Sequence, residues 1–171
     1  MERENKKRDK PRITQRDIPR LYPTGSETLA EAEMAALEAT IEHAGLADGQ
    51  DILELGCGWG SLSLLMAQRF PHARITTLSY AAAQRLSIEA AAARQGSNNL
   101  RVITADMNAF ADELQRFDRI VSVEMFEHMR NYERLLERIA SWLKPDGKLF
   151  VHHFCHRLFA YPFETDGDAN W

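Results

Sequence analysis

Two carboxylates and an imidazole lie close together in an apolar stretch of the sequence, Val-Glu-Met-Phe-Glu-His-Met at residues 123–129. Glu124, Glu127 and His128 are of the types that accept protons or hold a cation. If the chain becomes helical here, their spacing places all three on one face of the helix. The same residue types are common on solvated loops, so the cluster indicates chemistry only if a binding site lies beside it.

A second candidate site is the string Glu-Leu-Gly-Cys-Gly-Trp-Gly at residues 54–60, between a short apolar strand and a helix. Glycines at such a turn let a ligand approach the backbone at a helix amino terminus. A nicotinamide-binding fingerprint needs glycine where Ser61 stands and an acid about 20 residues later, but residues 75–88 contain no acid. The spacing ExGxGxG instead resembles that of S-adenosylmethionine-dependent methyltransferases. A structural glycine turn and a dinucleotide site are the alternatives.

The elements that must position these residues alternate between strand and helix. The segment 28–31 has the form of a capping box and opens a helix that Gly45 ends. Apolar runs and helical periodicity then predict strands at 52–55, 74–78, 100–105, 118–123 and 148–154, helices at 62–69, 81–95 and 132–143, and a turn at 145–147. Because parallel neighbours need crossover connections, the sequence predicts an α/β fold with a doubly wound, mostly parallel sheet. Its ligand crevice lies beyond the carboxyl ends of the strands.

Several motifs together resemble the cyclopropane fatty acid synthase family. They are GCGWGSL, a serine and a glutamine after the second strand, FDRIVSVEMFEHM and LKPDGKLFVHHFCH. The strings VEMFEHMRNY and LFVHHFCHRLFAYPFE are more similar to the branch that contains coclaurine-type N-methyltransferases and their bacterial relatives. The resemblance runs from about residue 28 to the last residue. It implies the Rossmann-like fold of class I methyltransferases, lacking the last two strands, with S-adenosylmethionine as cofactor.

The resemblance implies a cofactor site at the ends of three strands. The methionyl part is assigned to Glu54, Gly56, Cys57, Gly58 and Gly60. The ribose is assigned to Ser79 and Gln84, and the adenine to Asp106 and Met107. Glu54 is expected to support the turn. A helix cap and a surface residue are the alternatives for Ser79 and Gln84. Ala81 stands where the family usually has a serine, which weakens the ribose assignment.

The acceptor side is assigned to Glu124, Glu127 and His128, the predicted catalytic residues. A carboxylate or imidazole beside a neutral amine favours its approach to the methyl group and takes its proton. In cyclopropane synthases the acceptor is a lipid alkene, and their bicarbonate-associated Glu and His correspond to Glu127 and His152. Those enzymes generally have glycine at position 124 and use an upstream cysteine, whereas no cysteine precedes Cys57 here.

These differences favour a small-molecule amine acceptor. The alternatives are a cyclopropane fatty acyl phospholipid synthase, which acts on a lipid, and a cofactor-binding fragment without turnover. Zinc is disfavoured at the cluster His152, His153, Cys155 and His156 because successive strand residues point to opposite faces, so no metal is expected.

Composition limits the remaining functions. The chain has 171 residues, of which 44% are hydrophobic, enough for a single core. No apolar run has the length of a membrane span, and the two cysteines form neither a CxxC pair nor a disulfide framework. We therefore expect a cytoplasmic protein without integral membrane association.

Charge divides the chain into two predicted parts. Residues 1–20 hold eight Lys/Arg and four Asp/Glu, and we predict that they form a flexible basic arm. The arm lacks interleaved aromatic residues, so nucleic acid is not an expected partner, while peripheral contact with acidic lipids stays open. Residues 21–171 are predicted to form one methyltransferase domain that is incomplete at its carboxyl end.

Overall fold

Five parallel strands form the centre of the fold. The computed structural model describes residues 20–112 and 114–155. The strands are β1 (Asp51–Leu55), β2 (Arg74–Ser79), β3 (Leu100–Thr104), β4 (Phe117–Val123) and β5 (Leu143–His152). Their spatial order is β3-β2-β1-β4-β5, and each neighbouring pair is parallel. The chain therefore builds one half of the sheet outward from β1 and then returns to build the other half, which confirms the predicted doubly wound fold.

In the described part of the chain, four α-helices cover the sheet. They are α1 (Leu29–Ala44), α2 (Ser61–Arg69), α3 (Ala82–Gln95) and α4 (Tyr132–Trp142), and a one-turn 3₁₀ helix lies at Phe126–His128. The capping box of α1 is present, because Thr28 accepts a hydrogen bond from the Glu31 backbone and Glu31 accepts one in return. Gly45 ends this helix in the left-handed conformation at φ 61°. Among the described residues, no helix is both long and apolar enough to cross a bilayer.

The core has a layer on each face of β1, because successive side chains of a strand alternate between faces. All five residues of β1 are buried. Ile52 packs with Leu37 of α1 and Met66 of α2, whereas Leu53 and Leu55 pack in a second cluster with α4. Burying both faces of the central strand fixes its register, and with it the position of the glycine turn at its end.

The amino ends of the strands are held by charged side chains. Lys144 Nζ lies 2.8 Å from Asp118 Oδ2 and 3.3 Å from Asp51 Oδ2, and Arg74 also pairs with Asp51. Burial acts to raise the pKa of Asp51, but the hydrogen bonds from Arg74 and Lys144 outweigh it and lower the pKa. This network lies at the edge of the sheet opposite the glycine turn, where it stabilises the fold away from the predicted site.

The last strand differs from its predicted bounds. The sequence predicts a turn at 145–147 and a strand at 148–154, yet β5 begins at Leu143, directly after α4, and ends at His152. Phe117 pairs with Leu143 and Arg119 with Lys148, so the intervening residues form an irregularity inside the strand. A Cβ on Gly147 would lie 2.9 Å from the Phe117 carbonyl oxygen, so glycine permits this close approach.

Candidate functional site

The turn after β1 contains three glycines in the left-handed region, with φ of 78° at Gly56, 51° at Gly58 and 85° at Gly60. A Cβ on Gly56 would lie 2.8 Å from the Met125 side chain, and one on Gly60 would lie 2.6 Å from Ile88. At Gly58 a Cβ would meet nothing within 4 Å. Two of the glycines therefore permit close packing inside the protein, whereas Gly58 presents bare backbone to open space where a ligand could lie.

Glu54 lies beneath this turn as a fully buried carboxyl group. Ser63 of α2 donates a hydrogen bond to Glu54 Oε2, and Thr77 Oγ1 of β2 lies 3.1 Å from the same oxygen. Burial raises the pKa of Glu54 to about 7, although both hydroxyl groups act to lower it. The carboxyl group thus joins β1, β2 and the first turn of α2, which is how it can support the glycine turn from inside.

Ser63 and Thr77 were not among the predicted site residues. The sequence signal that could have found them is a hydroxyl residue at an inward-facing position of each element next to β1. Ser63 and Thr77 are fully buried, and a buried hydroxyl needs a hydrogen-bond partner. Glu54, the acid of the ExGxGxG string, is that partner for both hydroxyl groups.

Cys57 contributes its backbone to the turn and keeps its thiol inside the protein. Its backbone nitrogen donates to the Leu78 carbonyl at 2.9 Å, and its side chain is buried. Burial, together with the nearby Glu54 carboxyl group, raises the pKa of the thiol to about 12. The thiol is therefore protonated at neutral pH, which argues against a nucleophilic role.

The structure brings Ser79 and Gln84 together at the end of β2. Ser79 Oγ lies 2.8 Å from Gln84 Oε1 and 3.1 Å from the Ala81 carbonyl oxygen. It also accepts a 3.3 Å hydrogen bond from the Ala81 backbone nitrogen just before α3, a turn contact that does not reach the backbone nitrogens of the helix itself. Gln84 is half-buried rather than fully exposed on the surface.

Asp106 and Met107 follow β3 at the same edge of the sheet. Asp106 Oδ1 accepts a 2.8 Å hydrogen bond from the Asn108 backbone and a 3.0 Å bond from its side-chain amide. The Met107 side chain is half-buried and packs on the cluster under α4. The three groups predicted to bind cofactor therefore lie at the carboxyl ends of β1, β2 and β3 in that order. Adjacent strands are about 4.8 Å apart, so the groups span roughly 10 Å.

The acidic cluster after β4 lies directly against the glycine turn, because Met125 packs at Gly56. The expectation of one helical face is wrong. Glu124 has a φ of 54° and lies before the 3₁₀ helix, so it does not share a helix with Glu127 and His128. The reason is that the Glu124 backbone nitrogen still bonds to the His152 carbonyl of β5, at 2.8 Å, before the chain turns.

Within the described residues, two buried polar atoms on this side lack a hydrogen-bond partner. Glu127 Oε1 accepts a 3.2 Å bond from the Phe154 backbone nitrogen, but Glu127 Oε2 and His152 Nδ1 are buried and have no partner in the part of the chain that the structure describes. Leaving such an atom unsatisfied costs about 1–3 kcal/mol. A polar ligand at the carboxyl ends of β4 and β5 would supply the missing partners.

His152 ends β5 and is partly buried, whereas His153 follows the strand and is exposed, so the predicted alternation along one strand does not reach His153. His153 Nδ1 lies 3.0 Å from the Phe154 carbonyl oxygen, and Cys155 is exposed, whereas His156 lies outside the described residues. Within residues 20–112 and 114–155, no three His, Cys, Asp or Glu side chains are grouped as a metal site.

Comparison with protein families decides the relationship. Residues 20–164 match the family of mycolic acid cyclopropane synthetases. The chain belongs to this family. The predicted resemblance is therefore confirmed at the level of the family.

Among curated relatives, (S)-coclaurine N-methyltransferase of Thalictrum flavum subsp. glaucum is 41% identical over 150 residues, which cover 88% of this chain and 41% of the relative. The cyclopropane-fatty-acyl-phospholipid synthase of Escherichia coli (strain K12) is 31% identical over 133 residues, covering 77% of this chain and 33% of the relative. The chain thus spans about two fifths of the length of the coclaurine N-methyltransferase that it matches.

Solved structures of an N-methyltransferase and of a cyclopropane synthase also match this chain. The crystal structure of coclaurine N-methyltransferase bound to N-methylheliamine and SAH matches with a TM-score of 0.82 and 40% identity, over 90% of this chain and 44% of that protein. The mycolic acid cyclopropane synthase CmaA1, complexed with SAH and CTAB, matches with a TM-score of 0.70 and 26% identity, over 78% of this chain and 47% of that protein. The predicted class I methyltransferase fold is confirmed by these neighbours.

Proposed function

We propose that this chain forms the cofactor-binding part of an S-adenosylmethionine-dependent methyltransferase that acts on an amine nitrogen of a small molecule. One observation carries the proposal: Met125 packs on Gly56, which puts Glu124 and Glu127 beside a glycine turn whose Gly58 faces open space. A nucleotide-type site and a pair of acids therefore share the carboxyl edge of the sheet, where ligands of open α/β sheets bind.

The residues present fit the cofactor. The open space at Gly58 accepts the methionyl end against bare backbone, Ser79 and Gln84 offer polar atoms to the ribose, and the Asp106 loop lies at the adenine end. S-adenosylmethionine bound there would supply a methyl group on a sulfonium: the amine lone pair would attack the methyl carbon in line, the sulfur–carbon bond would break and S-adenosylhomocysteine would leave. The coclaurine N-methyltransferase structure, which contains SAH, supports this assignment.

The acids beside the turn suit an amine. As the new bond to carbon forms, the attacking nitrogen gains positive charge, and a carboxylate close to it stabilises that charge. Glu127 Oε2 is buried and has no partner among the described residues, so we assign to it the hydrogen bond or proton of the amine, and Glu124 provides a second carboxyl group nearby. His128 is exposed at the same edge and gives the proton a path towards solvent.

A lipid alkene is the second candidate acceptor. It is favoured by the unpartnered atoms of Glu127 and His152, which are the positions that the cyclopropane synthases use beside bicarbonate. The amine is preferred because the similarity to the N-methyltransferases, 41% over 88% of the chain, exceeds that to the Escherichia coli synthase, 31% over 77%.

Transfer of labelled methyl groups tests the proposal. The purified full chain is incubated with methyl-labelled S-adenosylmethionine and either heliamine or vesicles of unsaturated phospholipid, with and without bicarbonate. We expect label in the amine. We also expect that Glu127→Gln lowers transfer about 100-fold, the lower range of general-base contributions. Glu133→Gln, an exposed change on α4, is the control and should leave transfer unchanged.

Each other outcome points to a different function. Label that enters only phospholipid, and only with bicarbonate, would replace the amine with an alkene. Binding of S-adenosylhomocysteine without any transfer would leave a cofactor-binding fragment. Absence of both would contradict the methyltransferase proposal itself.

A further inference from the structure

Arg138 on α4 joins that helix to the loop after β3. Its Nη1 donates to the Met107 carbonyl oxygen at 2.8 Å and to the Asn108 carbonyl oxygen at 3.0 Å. The two oxygens belong to consecutive residues, so a single cationic group fixes the direction of both peptide bonds. A charged donor makes stronger hydrogen bonds than a neutral one. The guanidinium group is half-buried and lies 5.2 Å from the centre of the Trp142 ring, which restricts its own motion.

The far end of the same loop is also attached to α4. Phe110 is buried against Trp142 in an edge-to-face contact with ring centres 5.1 Å apart. Inside the loop, the backbone nitrogens of Ala109 and Phe110 both donate to the Asp106 carbonyl oxygen at 2.9 Å. Helix α4 therefore holds residues 106–110 at two points: the hydrogen bonds from Arg138 and the ring contact between Phe110 and Trp142.

This attachment matters for ligand binding because Arg138 reaches the Met107 and Asn108 carbonyl groups from outside the loop, directly beside Asp106. The Asp106 side chain is exposed, and within the described residues it accepts hydrogen bonds from Asn108, a residue of the same loop. An exposed carboxylate can face one edge of a bound base only if the backbone that carries it keeps one conformation. The hydrogen bonds from Arg138, a residue of α4, supply that constraint.

We propose that Arg138 is a positioning residue for the adenine end of the cofactor site. It holds the Met107 and Asn108 peptides so that the loop presents a fixed set of polar groups to the edge of the adenine ring that carries the amino group. The proposal rests on the proposed function, because it needs an adenosyl cofactor. It goes further in assigning recognition of the base to a side chain on α4, outside the predicted site residues.

Two ligands that differ only at the base test this role. S-adenosylhomocysteine carries an amino group at position 6 of the purine, and S-inosylhomocysteine carries an oxygen there. Dissociation constants of both are measured by calorimetry for the full chain and for its variants. In Arg138→Leu, we expect about tenfold weaker binding of S-adenosylhomocysteine, the order of one charge-assisted hydrogen bond. Binding of S-inosylhomocysteine should change little, so the preference for adenine falls towards one.

Two further variants separate this role from general destabilisation. Arg138→Lys keeps a cation that can reach one of the two carbonyl oxygens, and it should retain part of the preference. Arg134→Leu makes the same chemical change at an exposed position of α4 and should leave both constants unchanged.

The outcomes distinguish the positioning role from the proposed function. Wild-type affinity for S-adenosylhomocysteine in Arg138→Leu, or an equal loss of both ligands in Arg138→Leu and Arg138→Lys, would overturn the positioning role while leaving the cofactor site in place. Failure of the unmodified chain to bind either ligand would overturn the proposed function and this inference with it.

Discussion

Glu124 holds a backbone conformation that residues with a side chain rarely adopt. Its φ is 54°, in the left-handed region. That conformation costs a residue other than glycine about 1 kcal/mol or more, and such costs are concentrated at ligand-binding sites. The hydrogen bond from its backbone to His152 holds it in place beside the glycine turn. The side chain at position 124 is therefore retained at the expense of stability, which fits a role in binding.

Replacing Glu124 separates the cost of its backbone conformation from the contribution of its side chain to binding. Glu124→Gly relieves the backbone, so we expect it to be about 1 kcal/mol more stable than Glu124→Ala in thermal melts. Both variants should lose amine methylation by about tenfold or more while binding S-adenosylhomocysteine as the unmodified chain does.

Gln115 provides the matched control, because it is exposed, has a φ of 52° and precedes β4, at the edge of the sheet opposite the glycine turn. Gln115→Gly should also be more stable than Gln115→Ala, without any effect on methylation. If Glu124→Gly lost cofactor binding and methylation equally, Glu124 would belong to the cofactor site and not to the acceptor site.

At the scale of elements, the joint between β1, α2 and β2 depends on the protonation of one carboxyl group. Glu54 is fully buried between Ser63 and Thr77, and burial raises its pKa to about 7 from an ordinary value of 4.5. The folded state therefore binds the proton more tightly than the unfolded state. The stability that this group provides is fully present below about pH 4.5 and is lost as pH rises through about 7.

This reasoning predicts the pH dependence of one variant. Glu54→Gln cannot ionise, so the difference in free energy of unfolding between Glu54→Gln and the unmodified chain should shift in favour of Gln by about 3 kcal/mol between pH 4 and pH 8. Urea unfolding at several pH values measures it. Glu42→Gln, an exposed change on α1, is the control for loss of a carboxylate. A flat difference for Glu54→Gln would mean that Glu54 ionises with its ordinary pKa.

The sequence predicted elements well where the signal is local. Each strand of the sheet appears as an apolar run, a capping box and a glycine mark the two ends of α1, and Gly96 marks the end of α3, so order and type follow from neighbouring residues. The errors lie where a distant partner decides. Pairing of Leu143 with Phe117 extends β5 back through the predicted turn, and the bond from Glu124 to His152 delays the helical turn.

The candidate site follows the same rule. The glycine string and the acidic cluster are visible as spacing in the sequence, and the structure brings them together through Met125 and Gly56. Ser63, Thr77 and Arg138 could not be assigned from spacing because their roles come from contacts between elements far apart in the chain.

At the scale of the whole molecule, the question is whether a chain of about two fifths of its relative's length forms a folded binding unit. In the described residues, β5 pairs with β4 alone, yet β1 and its two neighbours are buried in two core clusters. The proposed cofactor contacts lie at the carboxyl ends of β1, β2 and β3 and do not involve β5. Binding of cofactor therefore depends on β1 and β2, which are each paired on both sides, and on β3, which pairs with β2.

Thermal melting with and without S-adenosylhomocysteine tests this expectation. We expect one cooperative transition, and at a ligand concentration of about 100 times the dissociation constant a stabilisation of roughly 2.7 kcal/mol. For a chain of this size that corresponds to a rise in Tm of about 5–10 °C. Gly58→Leu fills the open space at the turn and should abolish the rise.

Gly49→Leu controls for backbone strain in this experiment. Gly49 also has a left-handed φ, 82°, and a Cβ there would meet nothing within 4 Å, but it precedes β1 at the opposite edge of the sheet. Both leucine variants should lower Tm without ligand by similar amounts, because both force a side chain into the left-handed region. Only Gly49→Leu should keep the ligand-induced rise. A loss of the ligand-induced rise in both leucine variants would show that backbone strain, and not the filled space at Gly58, abolishes the rise. A broad, non-cooperative melt of the unmodified chain would show that the sheet does not fold as a unit.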